Sequence, residues 1–90
     1  MVGLFDEPAR RKLAAWQKAS PVIGYDPSQV RRDALGWYIV WSEYGNRKSD
    51  YGWEIDHHIP TILGGGDGVA NLRALHWRNN ASMGGLLRGA

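Results

Sequence analysis

The residues from Trp53 to Met83, WEIDHHIPTILGGGDGVANLRALHWRNNASM, organise this chain. Near their start stand an acid and two histidines, Asp56-His57-His58, and the segment continues through Pro60 into a turn rich in glycine. Carboxylate, amide and imidazole groups suit divalent cations, and a histidine beside a carboxylate can act as a base. No other part of the sequence collects such groups, so this segment is the candidate functional region.

Four groups of residues follow one another in this segment. They are Asp56-His57-His58-Ile59-Pro60, Gly64-Gly65, Asn71-Leu72-Arg73-Ala74-Leu75, and Asn80, nine positions after Asn71. Their order resembles the HNH nuclease motif of the ββα-metal, or His-Me finger, fold. In that motif Asp-His and a proline precede a Gly-Gly turn, an Asn-Leu pair and a helix carrying the last Asn or His. The similarity covers about a third of the chain.

The resemblance implies an α+β fold with a ββα-metal core, and an endonuclease that hydrolyses DNA phosphodiester bonds. It implies that Asp56 and Asn80 are metal ligands and that His57 is the general base that activates water. It also implies that Asn71 bonds across the loop and holds the orientation of the histidine. Two protein ligands leave most of a six-coordinate shell to water and phosphate oxygens, which is typical of Mg²⁺. We therefore expect a divalent ion, Mg²⁺ first and Mn²⁺ or another transition metal as alternatives.

Structural explanations stand beside these roles. Asn71 could form a simple Asx turn before a strand, and His57 taken alone is more often structural than catalytic. Adjacent strand residues point to opposite faces, so Asp56 and His57 can converge on one phosphate only if the strand ends there. The turn at Ile59-Pro60 favours such an end.

Further polar residues of the segment have weaker expectations. His58 is expected to pack or to face solvent, and His76 to serve at the start of the helix; contact with metal or DNA stays open for both. Successive helix residues point about 100° apart, so a single ion can be reached by only one of Asn79 and Asn80. Asn79 stands where HNH relatives carry a zinc-knuckle cysteine, and we expect it on the helix surface. Because the chain has no cysteine, we expect no structural zinc.

Basic residues near the segment are candidate nucleic-acid contacts, namely Arg47, Lys48, Arg73 and Arg78. HNH relatives frequently carry Lys or Arg three positions after the last Asn, where this chain has Met83. In the polar loop 44–52 and just after it, Tyr44, Tyr51 and Trp53 could stack on bases, or they could be packing residues of a small domain.

Ninety residues predict a single domain, 1–90, and five Trp with four Tyr predict an aromatic core. The net charge of +2 is compatible with a polyanionic partner but is too small to argue for one alone. The absence of cysteine fits a reducing compartment, and we expect a cytoplasmic protein. DNA is the expected partner, and a homodimer or larger nuclease assembly stays open.

Neither the longest apolar run nor the start of the chain favours a membrane protein. The longest run, Trp37 to Trp41, is far shorter than the roughly 20 residues that a spanning helix needs. The start, Met1 to Phe5, lacks a basic region and a long apolar segment, so we expect no signal peptide.

The chain divides into an N-terminal helix and arm (1–24), a hairpin and basic loop (25–52), the ββα-metal core (53–84) and a tail (85–90). Asp6 is expected to cap the first helix, which carries Leu13 and Trp16 on its apolar stripe and stops before Ser20-Pro21. Val30–Arg32 and Trp37–Trp41 are expected to pair as a hairpin.

Within the core, Trp53–Asp56 and Leu72–Leu75 are the predicted strands, joined by a loop. The closing helix is predicted to begin at His76 or Trp77 and to end at Gly84-Gly85. The glycines of the loop are expected to permit positive φ, since no Gly-Lys-Ser/Thr follows them as in a phosphate-binding loop.

The leading hypothesis is a metal-dependent DNA endonuclease. A non-catalytic nucleic-acid-binding module of the same fold is the alternative. A third hypothesis is an interaction domain whose exposed aromatic residues meet another protein.

Overall fold

The computed structural model describes residues 7–89, and the side chains of 7–83. Within this part the chain forms two α-helices and two small antiparallel sheets, which confirms the predicted α+β class. The predicted cap at Asp6 and the expectations for Met1 to Phe5 lie outside the described residues.

The first helix, α1, spans Glu7–Gln17 and buries Ala15 and Trp16. It ends before Ser20-Pro21, as predicted, because a residue that precedes proline avoids the α conformation. Ser20–Pro21 then pairs as a short strand, β1, which the sequence did not predict. Two residues are too few to produce a recognisable alternation of polar and apolar side chains.

The first sheet has the order β1-β2-β3, with β2 at Val30–Arg32 and β3 at Tyr38–Val40. Strands β2 and β3 form the predicted hairpin, in a register that pairs Val30 with Val40. Ile39 faces inward and is fully buried, so this sheet contributes directly to the core.

The second sheet consists of β4, Trp53–His57, and β5, Leu72–His76. Each strand is one residue longer than predicted, because the antiparallel pairing of the two strands continues to the His57–Leu72 and Trp53–His76 pairs. The second helix, α2, follows β5 directly, so the ββα order predicted for 53–84 is present.

Helix α2 spans Trp77–Gly89, so the predicted end at Gly84-Gly85 and the separate tail 85–90 are wrong. A glycine in a helix costs about 1 kcal/mol relative to alanine but, unlike proline, keeps its N–H donor. The hydrogen-bond ladder therefore passes both glycines, and the Leu-Leu-Arg segment that follows consists of good helix formers.

The core lies between α1 and the β4–β5 hairpin. Trp16 contacts Trp41 and Trp53 with ring centroids 5.4 and 5.1 Å apart, which confirms the predicted aromatic core. Smaller side chains complete it, including Ala15, Ala19, Leu72 and Ala74. Trp53 is fully buried and therefore serves as a packing residue. Neither described helix is long and apolar enough to cross a membrane.

Candidate functional site

The loop between β4 and β5 is held by the side chain of Asn71. Its Oδ1 accepts a hydrogen bond from the Ile59 N–H at 2.8 Å, and its Nδ2 donates to the carbonyls of Ile59 and Gly66 at 3.0 and 2.7 Å. An amide suits this position because it donates and accepts at once. The predicted bonds of Asn71 across the loop are therefore present.

Two glycines allow the loop to close this tightly. Gly64 has φ 88°, the left-handed conformation that glycine adopts without steric cost. At Gly65 a Cβ atom would lie 1.7 Å from the Ile59 carbonyl oxygen, so no other residue fits without a backbone shift. The predicted positive φ is confirmed at Gly64, whereas Gly65 is required by the close approach of the Ile59 backbone.

Asp56 is paired across the sheet with Arg73. The two residues are register partners, and Arg73 Nε donates to Asp56 Oδ2 at 2.9 Å. Arg73 keeps only 15% of its side chain exposed and also approaches Met83 Sδ at 3.6 Å. The nearest positive charge to the candidate metal ligand therefore comes from a residue that we predicted to contact DNA.

His57 is bonded to an acid that the sequence did not single out. Its Nε2 lies 2.7 Å from Oδ1 of Asp67, and the same oxygen accepts a hydrogen bond from Arg11 of α1 at 2.8 Å. The hydrogen bond with His57, followed by the bond and charge of Arg11, lowers the pKa of the Asp67 carboxyl below its usual value. His57 thus belongs to a chain of three polar side chains, Arg11, Asp67 and His57.

Asn80 points at the strand rather than at open solvent. Its Nδ2 donates to Glu54 Oε1 at 2.8 Å, while Arg47 forms a bidentate pair with the two oxygens of Glu54 at 2.6 and 2.8 Å. The Arg47 hydrogen bonds lower the pKa of the Glu54 carboxyl against the opposing effect of burial, and the Asn80 bond adds to the lowering. Conversely, Glu54 raises the pKa of the Arg47 guanidinium.

A pocket of about 180 Å³ collects part of the predicted site. Asp56, His57 and Arg73 line it, together with His58, Pro60, Thr61 and Met83. Although β4 continues through His57 instead of ending at Asp56, both side chains reach this pocket because it lies at the end of the strand. Asn71 holds the adjoining loop from outside the pocket, and Asn80 lies at Glu54.

The oxygen atoms of the predicted metal ligands fit a hard cation. Glu54 and Asp56 are two residues apart in β4 and so lie on the same face, which puts Asp56 on the side where Asn80 bonds Glu54. Among the described residues, nothing donates a hydrogen bond to Oδ1 of Asp56 or to Oδ1 of Asn80. A carboxylate and an amide oxygen are ligands that Mg²⁺ accepts. Residues 7–83 contain no cluster of three or more His, Cys, Asp or Glu side chains able to hold a metal.

Asn79 is a structural residue, and its predicted position on the helix surface is wrong. It is only 8% exposed, and its Nδ2 donates to Oδ2 of Asp33 at 2.8 Å. Asp33 is itself buried in the turn between β2 and β3. Helix geometry predicts that Asn79 and Asn80 point in different directions. It does not predict which of the two faces the β2–β3 hairpin, because that depends on how the hairpin packs against α2.

His76 serves the start of α2, as predicted. It is 1% exposed, its Nδ1 accepts the Arg78 N–H at 3.1 Å, and its Nε2 lies 2.7 Å from the Asp50 carbonyl oxygen. The ring therefore caps the helix with Nδ1 and donates from Nε2. With both ring nitrogens engaged by backbone groups, His76 has no lone pair for a metal.

The candidate DNA-binding cations differ in their surroundings. Arg47 and Arg78 are more than half exposed but pair with Glu54 and, at 3.5 Å, with Asp50. Arg73 is mostly buried against Asp56. Lys48 is exposed, and its side chain has no hydrogen-bond partner within residues 7–83. Of the loop aromatics, Tyr44 contacts Trp53 edge-on while Tyr51 is half exposed.

Three residues of this region were not predicted to belong to the site, namely Arg11, Glu54 and Asp67. Asp67 lies among glycines and resembles an ordinary turn residue, and Glu54 resembles an ordinary outward-facing strand residue. One signal was present: an acid inside a loop that must fold back toward His57 is a candidate partner for that histidine. Arg11 carried no such signal, since it is 56 residues away in sequence from Asp67.

Comparison with known proteins adds no relative. The sequence matches no protein-family model, and neither the curated proteins nor the solved structures provide a significant match to it. Functional inference therefore rests on the residues and geometry of this chain.

Proposed function

We propose that this protein is a metal-dependent endonuclease of the HNH type, acting on DNA phosphodiester bonds. The proposal rests on one observation. The Asn71 side chain makes three hydrogen bonds across the β4–β5 loop, and Asp56 and His57 both line the pocket beside that loop. An Asx turn would explain one hydrogen bond from Asn71 but not three bonds to two distant parts of the loop. A packing role for His57 does not explain why its side chain borders a pocket while hydrogen-bonded to a carboxylate.

In the proposed reaction each residue has one task. Asp56 and Asn80 would hold a divalent ion, Mg²⁺ first and Mn²⁺ as the alternative. When bound, that ion supplies charge neutralisation at the scissile phosphate and at the leaving oxygen. His57, in its neutral form, takes a proton from the attacking water. Asn71 keeps the backbone at Ile59, two residues after His57, in a single conformation.

A plasmid assay tests the proposal directly. Purified protein should convert supercoiled plasmid to the nicked form in Mg²⁺ or Mn²⁺ and leave 5′-phosphate ends, as the HNH resemblance implies. Excess chelator should abolish the activity, and re-addition of the ion should restore it. Undiminished nicking in chelator, or no nicking with any divalent ion, would refute the proposal.

One observation favours the alternative of a non-catalytic nucleic-acid-binding module. Arg73 already neutralises Asp56 in the folded chain, and a module without metal needs such a counterion. An experiment distinguishes the two functions: a binder retards DNA in a gel and leaves it intact in Mg²⁺ or Mn²⁺, whereas a nuclease nicks it when either ion is present. For a nuclease, the Asp56–Arg73 pair holds the carboxylate in place until a cation competes for it.

The proposed partner, assembly and location are consistent with this reaction. DNA is the proposed partner, with Arg47, Lys48, Arg73 and Arg78 as backbone contacts, and a homodimer or larger nuclease assembly would allow both strands to be cut. The absence of cysteine is compatible with the reducing cytoplasm, which we propose as the location.

A further inference from the structure

We infer that Asp67, anchored by Arg11 of helix α1, is a positioning residue that fixes the ring orientation and tautomer of His57. This inference rests on the proposed function for its catalytic meaning, but the contact itself can be measured without catalysis. It assigns to α1, which lies outside the ββα unit, a direct part in the site.

The first step is the geometry of the histidine. A carboxylate can only accept hydrogen bonds, so the 2.7 Å contact between Asp67 Oδ1 and His57 Nε2 requires the proton on Nε2. In a neutral imidazole the other nitrogen, Nδ1, then carries the lone pair. Asp67 therefore selects which nitrogen of His57 can accept a proton from water. This is the logic by which an acid orients the histidine of a catalytic triad.

The second step is that Asp67 is itself held in place. Arg11 binds it twice, from Nη1 to the backbone carbonyl at 2.7 Å and from Nη2 to Oδ1 at 2.8 Å. The preceding carbonyl, that of Gly66, accepts the Asn71 side chain at 2.7 Å. Lys18, just past the end of α1, donates to the carbonyls of Val69 and Leu72 on the other side of the loop. Hydrogen bonds therefore hold the loop on both sides of Asp67.

The third step is exposure. The Asp67 side chain is 73% exposed and that of His57 is 31% exposed. An exposed ion pair contributes little to stability, so folding alone gives little reason for a three-residue chain at this position. Orientation of a base beside the pocket gives such a reason, because a misoriented imidazole cannot transfer a proton.

The experiment measures the tautomer by long-range ¹H–¹⁵N NMR of the metal-free protein, with the His57 signals assigned by their loss in His57→Ala. We expect wild type to show the Nε2–H tautomer. Asp67→Ala should show a mixture of both tautomers, and Asp67→Asn should keep part of the preference because its amide oxygen still accepts. Asp50→Ala is the matched control: it removes an equally exposed acid paired with an arginine elsewhere on the surface and should leave the His57 tautomer unchanged.

Plasmid nicking supplies the second readout. For histidines that bind metals, loss of the orienting partner typically costs 10–100-fold. We expect kcat of Asp67→Ala to fall by a factor on that order, with little change in KM. Arg11→Ala should show a smaller loss of kcat in the same direction. An unchanged tautomer in Asp67→Ala, or an unchanged kcat in active protein, would overturn the inference. If wild type shows an Asp67-dependent tautomer but nicks no DNA, the positioning contact is supported and the nuclease function is refuted.

Discussion

Asp33 and Asp67 are both aspartates in tight connections, and they differ in everything around the carboxylate. Asp33 is 3% exposed and accepts four hydrogen bonds from uncharged donors, the N–H groups of Leu35, Trp37 and His76 and the side chain of Asn79. Asp67 is largely exposed and is bonded to two groups that can carry charge, His57 and Arg11.

The difference is between a network that stabilises the fold and groups that are available to a ligand. The Asp33 network uses both carboxylate oxygens to join the β2–β3 turn to the start of α2, and none of its buried polar atoms lacks a partner among residues 7–83. By contrast, Asp56 at the pocket and Asn80 beside Glu54 each retain an oxygen that accepts no hydrogen bond from that part of the chain. A fully satisfied polar network stabilises one conformation, whereas open oxygens and an oriented base can act on a ligand.

The largest expected effect concerns the two adjacent histidines on the pocket side. His57→Ala should reduce plasmid nicking by about 10²–10⁴-fold, the usual contribution of a general base, while DNA affinity and the fold are retained. His58→Ala is the neighbouring control and should change the rate modestly. If His58→Ala were inactive and His57→Ala active, the general base would be His58 and the assignment of His57 would be wrong.

The next effect tests the structural side of the comparison. Asp33→Ala should lower the free energy of unfolding by about 3 kcal/mol, because the His76 N–H and the Asn79 amide would remain buried without their acceptor. Urea denaturation followed by tryptophan fluorescence measures it. Asp26→Ala is the control: its exposed carboxylate bonds only Ser28, so its stability should change far less. Equal stability losses in the two variants would contradict the structural role of Asp33.

Asn79 and Asn80 of α2 allow the structural role and the proposed metal-binding role to be tested in neighbouring residues. Asn79→Ala should lower stability by about 1.5–3 kcal/mol, the usual contribution of a hydrogen bond to a charged group, without changing Mn²⁺ affinity. Asn80→Ala should weaken Mn²⁺ binding and nicking together with a smaller effect on stability, and Asn80→His should keep part of both because imidazole is also a ligand. Calorimetric Mn²⁺ titration and urea denaturation of each variant decide the matter. Normal Mn²⁺ binding in Asn80→Ala would remove Asn80 from the metal site.

The smallest effect concerns the Arg47–Glu54 pair. Its hydrogen bonds lower the pKa of Glu54 in the folded state below the usual 4.5, so the pair stabilises the fold above that pH. The contribution is lost as pH falls through the lowered pKa, and solvent screening at the exposed Arg47 keeps it small. Arg47→Gln should raise the Glu54 pKa, as measured by NMR titration of the side-chain carboxyl. Lys48→Gln, a neighbouring charge removal without a contact to Glu54, should leave that pKa nearly unchanged.

Much of the local structure could be predicted from the sequence. The hairpin that starts with Val30–Arg32 and the two strands of the ββα unit follow from alternation and β-branched or aromatic content, whereas the helix after them was implied by the resemblance to the HNH motif. The resemblance to the HNH motif also implied that Asn71 would bond across the loop. Element ends were less certain: glycine weakens a helix without stopping it, so the end of α2 was misplaced.

The partners of the polar side chains could not be predicted, and the distances along the chain explain why. Asp33 reaches His76 and Asn79 across 43 and 46 residues, and Arg11 reaches Asp67 across 56. Local patterns carry no information about such pairs, because they depend on how α1 and the first sheet dock on the β4–β5 hairpin.

The sequence alone was enough to locate most of the helices and strands, and to identify the segment that concentrates acid, imidazole and amide groups. Those properties depend on neighbours within a few positions, where backbone geometry dictates the spacing. Tertiary packing was needed to show that Asn79 is buried while Asn80 lies at Glu54, and that His57 is hydrogen-bonded to an acid that α1 holds. Each of these depends on which faces of distant elements meet, and burial of the aromatic core selects that arrangement.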